Sequence, residues 1–311
     1  MRIISAAEIE AALDYRVLVE RLRQAFRFGG GTPLRHRHTI PTHGEHDATL
    51  MLMPAWQTGR HIGIKIATLF PDNAARKLPT IMGAYLLLDG KTGSPLALID
   101  GPALTNRRTA CTSALGAHYL ARQDCERLLM VGTGALAPHL ILAHAAVRPI
   151  CHVLIWGRTP ARAERLASRM DRPKFRVRAT RDLEGAARGA HLVCCATAAE
   201  TPLIFGDWLA PGTHLDLVGG HTPVAREADD TAVAKARVFV DTREGALAEA
   251  GDIIQPIQSG ALREDDIAGD LFDLARGERA GRRYYDQITL FKSVGMGLED
   301  LAAAQLAAEV V

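Results

Sequence analysis

The run RLLMVGTGALAPHLILAHAA, Arg127 to Ala146, constrains the fold more than any other stretch. An apolar strand ends in a glycine turn, and a helix-forming segment opens at once. Gly132, Gly134 and Ala137 make the pattern G-x-G-x-x-A. The first glycine permits the turn, the second admits a backbone close to a pyrophosphate, and the small third residue lets helix and strand pack closely. The helix N-terminus adds N–H groups and a positive dipole end, and Pro138 falls in the first turn, where a missing N–H costs little. A glycine turn alone is weak, because many have no function. A second strand about 20 residues on, in HVLIWGRT (His152 to Thr159), makes this one a dinucleotide turn.

From Arg127 the chain alternates strand and helix. Strands predicted at 127–131, 153–156, 175–178, 191–196, 214–218 and 237–241 give a doubly wound parallel sheet of the Rossmann type. The earlier part has another rhythm. Residues 5–28 carry helical spacing, stopped by Gly29-Gly30-Gly31, and Thr49 to Asp100 alternates with period two. DGKTG between apolar runs is a hairpin signal, so this half reads as a mostly antiparallel sheet with an N-terminal helix. The tail GMGLEDLAAAQLAAEV is a helix that packs back on the first domain. The expected class is therefore α/β: a nucleotide-binding domain over 119–287, and an α+β substrate-binding and dimerisation domain over 1–118 with 288–311.

A formal charge of +2 in 311 residues gives no reason to expect nucleic acid or an anionic membrane as partner. Cys194 and Cys195 are adjacent in an apolar run, which suits buried free thiols in a reducing compartment. No apolar run reaches the ~18 residues that span a bilayer, and the expected location is cytoplasmic.

The end of the second nucleotide strand selects the cofactor. NAD sites place an acid there for the ribose hydroxyl; this chain has Gly157, Arg158 and Thr159. An acid would repel a 2′-phosphate, whereas Arg158 can pair with it and Thr159 can donate a hydrogen bond. NADPH is the expected cofactor, with NADH possible; a solvated arginine is the plainer alternative.

Cationic residues collect in the first half. In HIGIKIATLF, Lys65 shares a strand face with Gly63 and Ala67, and Ile62, Ile64 and Ile66 share the other. Lys65 is either the one charge on a pocket floor or a lysine on the wet face of a sheet. LTNRRTACTSALGAHYLA reads as a helix capped near Thr105 or Asn106, which puts Arg107 and Arg108 in its first turn. Cations there cost roughly 0.3–1 kcal/mol unless an anion sits between them and the helix end. Arg35 and Arg37 lie in TPLRHRHTIP, read as an anion-binding loop. The histidines near it, His43 and His46, fit no zinc spacing, and no metal is expected.

The stretches PLRHRHTIP, MLMPAW, KIATLFPDN, LPTIMGAYLLLDGKTGSPLALIDG, LTNRRTACTSA, VGTGA, IWGRT, HLDLVGG and LFKSVGMGLED together resemble the ornithine cyclodeaminase/mu-crystallin family over nearly the whole chain. The resemblance implies a homodimer joined through the antiparallel halves. It implies that Arg35, Lys65 and Arg108 grip the substrate carboxylate and the region of the reacting nitrogen, Arg37 competing with Arg35. It also implies cofactor contacts at Thr80, Thr109, Gly132, Gly134, Ala135, Leu136, Thr197, Val218 and Ser293. Family members that cyclise ornithine carry an aspartate after the VGG turn and a glutamate three residues before the Met-Pro proline; here those positions are His221 and Met51. Without both acids, a free diamine loses its partners.

The implied substrate is a small cyclic imino acid, Δ1-pyrroline-2-carboxylate or Δ1-piperideine-2-carboxylate. Its reduction to L-proline or L-pipecolate would serve trans-3-hydroxy-L-proline breakdown. Lys65 is the implied catalytic group, and His221 is either a proton donor or a bystander shaping the pocket. Competing readings are an ornithine cyclodeaminase with tightly held NAD, an amino-acid dehydrogenase, and a non-enzymatic protein that holds NADPH.

Overall fold

The computed structural model describes residues 1–311 apart from Glu45, Lys174 and His221, and the side chain of Ala74. The first half runs β1 (Arg2–Ile4), α1 (Ala6–Ala12), α2 (Tyr15–Phe28), β2 (His36–Ile40), β3 (Ala48–Gln57), β4 (His61–Leu69), β5 (Ile81–Asp89), β6 (Pro95–Asp100) and α3 (Gly101–Leu120). Then come β7 (Arg127–Val131), α4 (Leu136–Val147), β8 (His152–Trp156), α5 (Pro160–Met170), β9 (Arg176–Ala179), α6 (Leu183–Gly189), β10 (Leu192–Cys195) and β11 (His214–Leu217). The last part holds α7 (Asp230–Lys235), β12 (Arg237–Val240), α8 (Arg243–Glu249), α9 (Gly251–Ser259), β13 (Gly269–Asp270), α10 (Leu271–Arg276), β14 (Thr289–Lys292) and α11 (Gly297–Val310). The chain divides into two compact units: Met1–Thr109 with Met296–Val311, and Ala110–Gly295.

In the first unit, six described strands pair in the order β1-β6-β5-β4-β3-β2, antiparallel except for β1 against β6. The DGKTG turn forms as expected: the Asp89 carboxylate accepts from the backbone N–H groups of Lys91 and Thr92 and from the Thr92 hydroxyl. The sheet has two unlike faces. On one, Met53, Lys65, Tyr85 and Ile99 stand in a single cross-strand row, all buried, and α11 packs over β3, β4 and β5. The other carries Ile62, Ile66 and Met82, each about two-fifths exposed, with Ile64, Leu86 and Leu98 between them. Lys65 therefore lies on the covered face, and the isoleucines face outward.

The structure corrects three local expectations in this unit. Residues 5–28 form two helices, because Asp14 accepts from the N–H of Val17 and starts a second one. The Arg35–Arg37 stretch is no loop from His36 onward; it is the edge strand β2, with Arg37 opposite Met51. Helix α3 begins at Gly101, where the Asp100 carboxylate accepts from the N–H of Ala103, so Arg107 and Arg108 lie in its second turn. The argument from an unfavourable dipole at their position falls with that start.

In the second unit, eight described strands form a wholly parallel sheet, in the order β13-β12-β14-β11-β10-β7-β8-β9. Its core joins Leu129, Val131, Val193, Leu215, Leu217, Val240 and Leu290 with the apolar sides of the flanking helices. Strand β14 falls between β11 and β12, inside this sheet, although the reading from sequence gave residues from 288 onward to the first domain. A boundary at 118/119 likewise falls inside α3. Cys194 and Cys195 are buried free thiols, as expected. Among the described residues no helix is long and apolar enough to cross a membrane.

Candidate active site

In the first unit, the covered sheet face and the start of α11 bring four charges together. Lys65 Nζ lies 2.8 Å from Asp300 Oδ2, and Arg108 Nε donates to Asp300 Oδ1 at 2.8 Å. Arg108 Nη1 donates to Glu299 Oε2 at 2.6 Å. Both acids are wholly buried, and Lys65 and Arg108 are 6% and 5% exposed. One carboxylate thus bridges two cations, its two oxygens fixing their separation. Buried charges are tolerated only when paired in this way.

The electrostatics follow from that packing. Burial pushes Lys65 down to about 8, with Asp300 pulling the other way and Arg108 and Arg35 adding to the fall. Burial would raise Asp300, but the Arg108 and Lys65 charges hold it below the ordinary carboxylate range. Burial and the Asp300 charge push the Tyr85 phenol well up, so it stays neutral. Arg35, half-buried just before β2, is near enough to act on Lys65, whereas Arg37 is exposed on the edge strand. Arg107, adjacent to Arg108 in sequence, turns elsewhere. It donates to the Leu13 carbonyl and to Glu10, and stacks 4.2 Å over the Tyr15 ring, tying α3 to the N-terminal helices.

Glu299 and Asp300 were not singled out from sequence. Two adjacent acids opening an otherwise apolar helix were the available signal, but acids in a first turn are expected for dipole reasons alone. Thr109 follows Arg108 on α3, and Thr80 precedes β5, its carbonyl accepting from the N–H of Phe70. His221 lies outside the described residues.

In the second unit, the nucleotide residues gather at the carboxyl ends of the parallel strands, where such sheets bind ligands. Gly132 has φ 124°, and a Cβ there would sit 2.5 Å from the Ala196 carbonyl oxygen. At Gly134 a Cβ would meet nothing within 4 Å. The space above Gly134 is thus open in the way a closely approaching pyrophosphate requires. Ala135 and Leu136 open α4 with no side chain capping its N–H groups. Thr197, Val218 and Ser293 follow the ends of β10, β11 and β14. Arg158 and Thr159 are exposed beyond β8, and the Thr159 hydroxyl does not cap α5. A groove of about 790 Å³ runs from Thr133, between the two glycines, along α5 past Arg162, Arg165 and Arg169. Glu164 lies on the same wall between those arginines.

One further cluster has metal-ligand chemistry. His144 Nε2, Cys194 Sγ and an Asp216 oxygen lie within 4.8 Å of one another, all buried. Asp216 Oδ2 already faces His144 Nε2 at 3.1 Å and accepts from Cys194 at 3.0 Å, while Ser113 donates to Oδ1. Three side chains thus hold Asp216, and among the described residues His144 Nδ1 has no hydrogen-bond partner.

One chain thus carries a dinucleotide-type parallel sheet and, in its other unit, a buried cation–carboxylate cluster, the parts that a nicotinamide-dependent oxidoreductase needs. Residues 2–311 match the model of the ornithine cyclodeaminase/mu-crystallin family, and the chain belongs to that family. The Δ1-pyrroline-2-carboxylate reductase of Paracoccus denitrificans is 39% identical over 316 residues, covering 99% of this chain and 96% of that relative. Among solved structures, the Thermococcus litoralis Δ1-pyrroline-2-carboxylate reductase in complex with NADH and L-proline is similar at a TM-score of 0.92 and 32% identity, covering 99% of this chain and 97% of that one. An archaeal alanine dehydrogenase dimer with bound NAD gives a TM-score of 0.90 at 25% identity, covering 99% of this chain and 95% of that one.

Proposed function

We propose that this chain is an NADPH-preferring reductase of cyclic ketimine acids. It would take Δ1-pyrroline-2-carboxylate to L-proline and, by the same chemistry, Δ1-piperideine-2-carboxylate to L-pipecolate. Its place would be in trans-3-hydroxy-L-proline breakdown. The observation that carries the reading is the bridge Lys65–Asp300–Arg108, which presents two fixed, buried cations with a third, Arg35, close to Lys65. The arrangement suits one small carboxylate. An alanine dehydrogenase of similar fold means that fold alone does not choose the substrate. The choice rests on Met51, which offers no acid to a distal amine, and on the similarity to two Δ1-pyrroline-2-carboxylate reductases.

In this mechanism Arg35 and Arg108 hold the substrate carboxylate. Arg108 already donates from Nε and Nη1 to the two acids, which fix the plane of its guanidinium. Lys65 places the imine through a hydrogen bond to the carboxylate and can pass a proton toward the nitrogen. Holding the acid in one orientation supplies the positional part of the rate. The nicotinamide supplies hydride when bound. The Arg158 guanidinium and the Thr159 hydroxyl take the 2′-phosphate, helped by the cationic groove along α5. The chain works as a homodimer, because the outward sheet face with Ile62, Ile66 and Met82 needs a cover.

The test is a panel of pyrroline- and piperideine-2-carboxylate, each with NADH and NADPH, followed at 340 nm, with L-ornithine and ammonia release as control. Stoichiometric NADPH loss with either imine is the expected result. Ammonia from ornithine without net redox change, or NADPH binding with no turnover of any imine, would overturn it. Lys65→Met should abolish most turnover while NADPH still binds.

A further inference from the structure

Glu227, Asp252 and Lys292 form a second wholly buried charge cluster, in the nucleotide unit, and nothing in the scheme above uses them. Glu227 Oε1 accepts from the backbone N–H of Thr197 at 2.7 Å and from its hydroxyl at 2.8 Å. The other oxygen, Oε2, accepts from the N–H of Gly219 at 2.8 Å. One carboxylate therefore ties the loop after β10 to the loop after β11. Behind it, Asp252 Oδ1 accepts from the N–H groups of Glu227 and Ala228, at 2.8 and 3.2 Å. Asp252 Oδ2 lies 3.0 Å from Lys292 Nζ, and Lys292 ends β14 next to Ser293.

The loops leave no slack around this cluster. A Cβ at Gly219 would fall 2.0 Å from the Thr197 carbonyl oxygen and 2.6 Å from Glu227 Oε1. A Cβ at Gly220 would fall 2.9 Å from Asp252 Oδ2. Burying a carboxylate is costly, and apolar side chains of similar volume generally stabilise a core as well or better. What an apolar residue cannot do is accept three hydrogen bonds from two neighbouring loops at fixed distances. Burial pushes Glu227 up to about 7, against the pull of Lys292 and of the Thr197 hydrogen bonds.

We propose that Glu227, braced by Asp252 and Lys292, is a positioning network for the nicotinamide half of the dinucleotide. It sets the ends of β10, β11 and β14 on which that half rests, while the glycine turn after β7 and Arg158 serve the adenosine half. This inference rests on the nicotinamide-cofactor reading, and its test separates the two. Fluorescence titration would measure NADPH binding, and calorimetry the binding of 2′,5′-ADP, which carries only the adenosine half. The emission of bound NADPH would report the environment of the ring.

In Glu227→Gln, with shape kept and charge removed, NADPH should bind at least tenfold more weakly, and emission of the bound ring should shift toward that of free cofactor. Affinity for 2′,5′-ADP should stay within twofold. Glu227→Asp, which keeps the charge, should recover part of the loss. If Glu227→Gln does not fold, Asp252→Asn/Lys292→Met removes both members of the ion pair together and should show the same split. Parallel loss of both ligands, or NADPH binding equal to that of the parent chain, would overturn the network. A parent chain that binds neither ligand would refute the cofactor reading instead.

Discussion

Gly132 and Gly134 lie two residues apart in one turn, yet the structure gives them opposite reasons to be glycine, and alanine at each separates fold from binding. At Gly132 an added methyl meets the Ala196 carbonyl oxygen at 2.5 Å, on a backbone with φ 124° that L residues rarely adopt. Strain of that kind costs about 1–3 kcal/mol, and the overpacking about 1–3 kcal/mol more. Gly132→Ala should therefore lose about 2–6 kcal/mol and melt several degrees lower. At Gly134 the methyl enters open space. The folded state loses nothing, and the stiffer unfolded chain contributes about 0.4–1 kcal/mol of stability. Tm should hold or rise by about 1–4 °C for a unit of this size.

The same methyl stands where the pyrophosphate must approach. Displacing one charge-assisted hydrogen bond costs about 1.5–3 kcal/mol, or roughly tenfold to a hundredfold in Kd. Thermal melts of both variants, with NADPH titration of the folded Gly134→Ala protein, check this. A Gly134→Ala protein that melts normally and binds NADPH with unchanged Kd would refute the pyrophosphate position.

Below about pH 8 Lys65 carries its charge and above it does not, so kcat/KM for the imine acid should fall as pH rises through 8; a pH profile measures this. Asp300→Asn removes the neighbour that raises Lys65 and leaves that buried cation without its counter-ion, while Arg108 keeps Glu299. It should cost about 3–5 kcal/mol in a denaturant melt and move that limb to lower pH. Arg158→Ala should raise KM for NADPH about tenfold or more and leave KM for NADH nearly unchanged, which steady-state kinetics with both cofactors would show. Ile66→Lys, on the outward sheet face, should shift sedimentation toward a single chain without disturbing the Lys65–Asp300 pair.

Much of the architecture was readable because it rests on local pattern. Glycine spacing, the apolar strands that follow it and the DGKTG turn each encode their own geometry. Where the readings failed, the deciding contact was distant or hidden. Thr105 and Asn106 look like caps, but Asp100, taken for a strand end, holds the first turn of α3. The short strand β14 is absent from the strands predicted by pattern, and its place between β11 and β12 is what makes it core. Lys65 and Arg108 could be picked out as unusual cations, but their partners could not. Glu299 and Asp300 become site residues only when α11 lies down on β3, β4 and β5. The buried carboxylates Glu227 and Asp252 were equally silent, because exposed acids are the ordinary case.

That last helix also governs when each half of the protein can mature on the ribosome. The parallel sheet is closed by residue 295, so it can consolidate as soon as it emerges. The antiparallel sheet is synthesised first and finishes last: until α11 arrives, the row from Met53 to Ile99 lies bare and Lys65 has no counter-ion. A nascent chain stalled before α11 should therefore be caught by chaperones on its N-terminal part, with its nucleotide sheet already protected from protease.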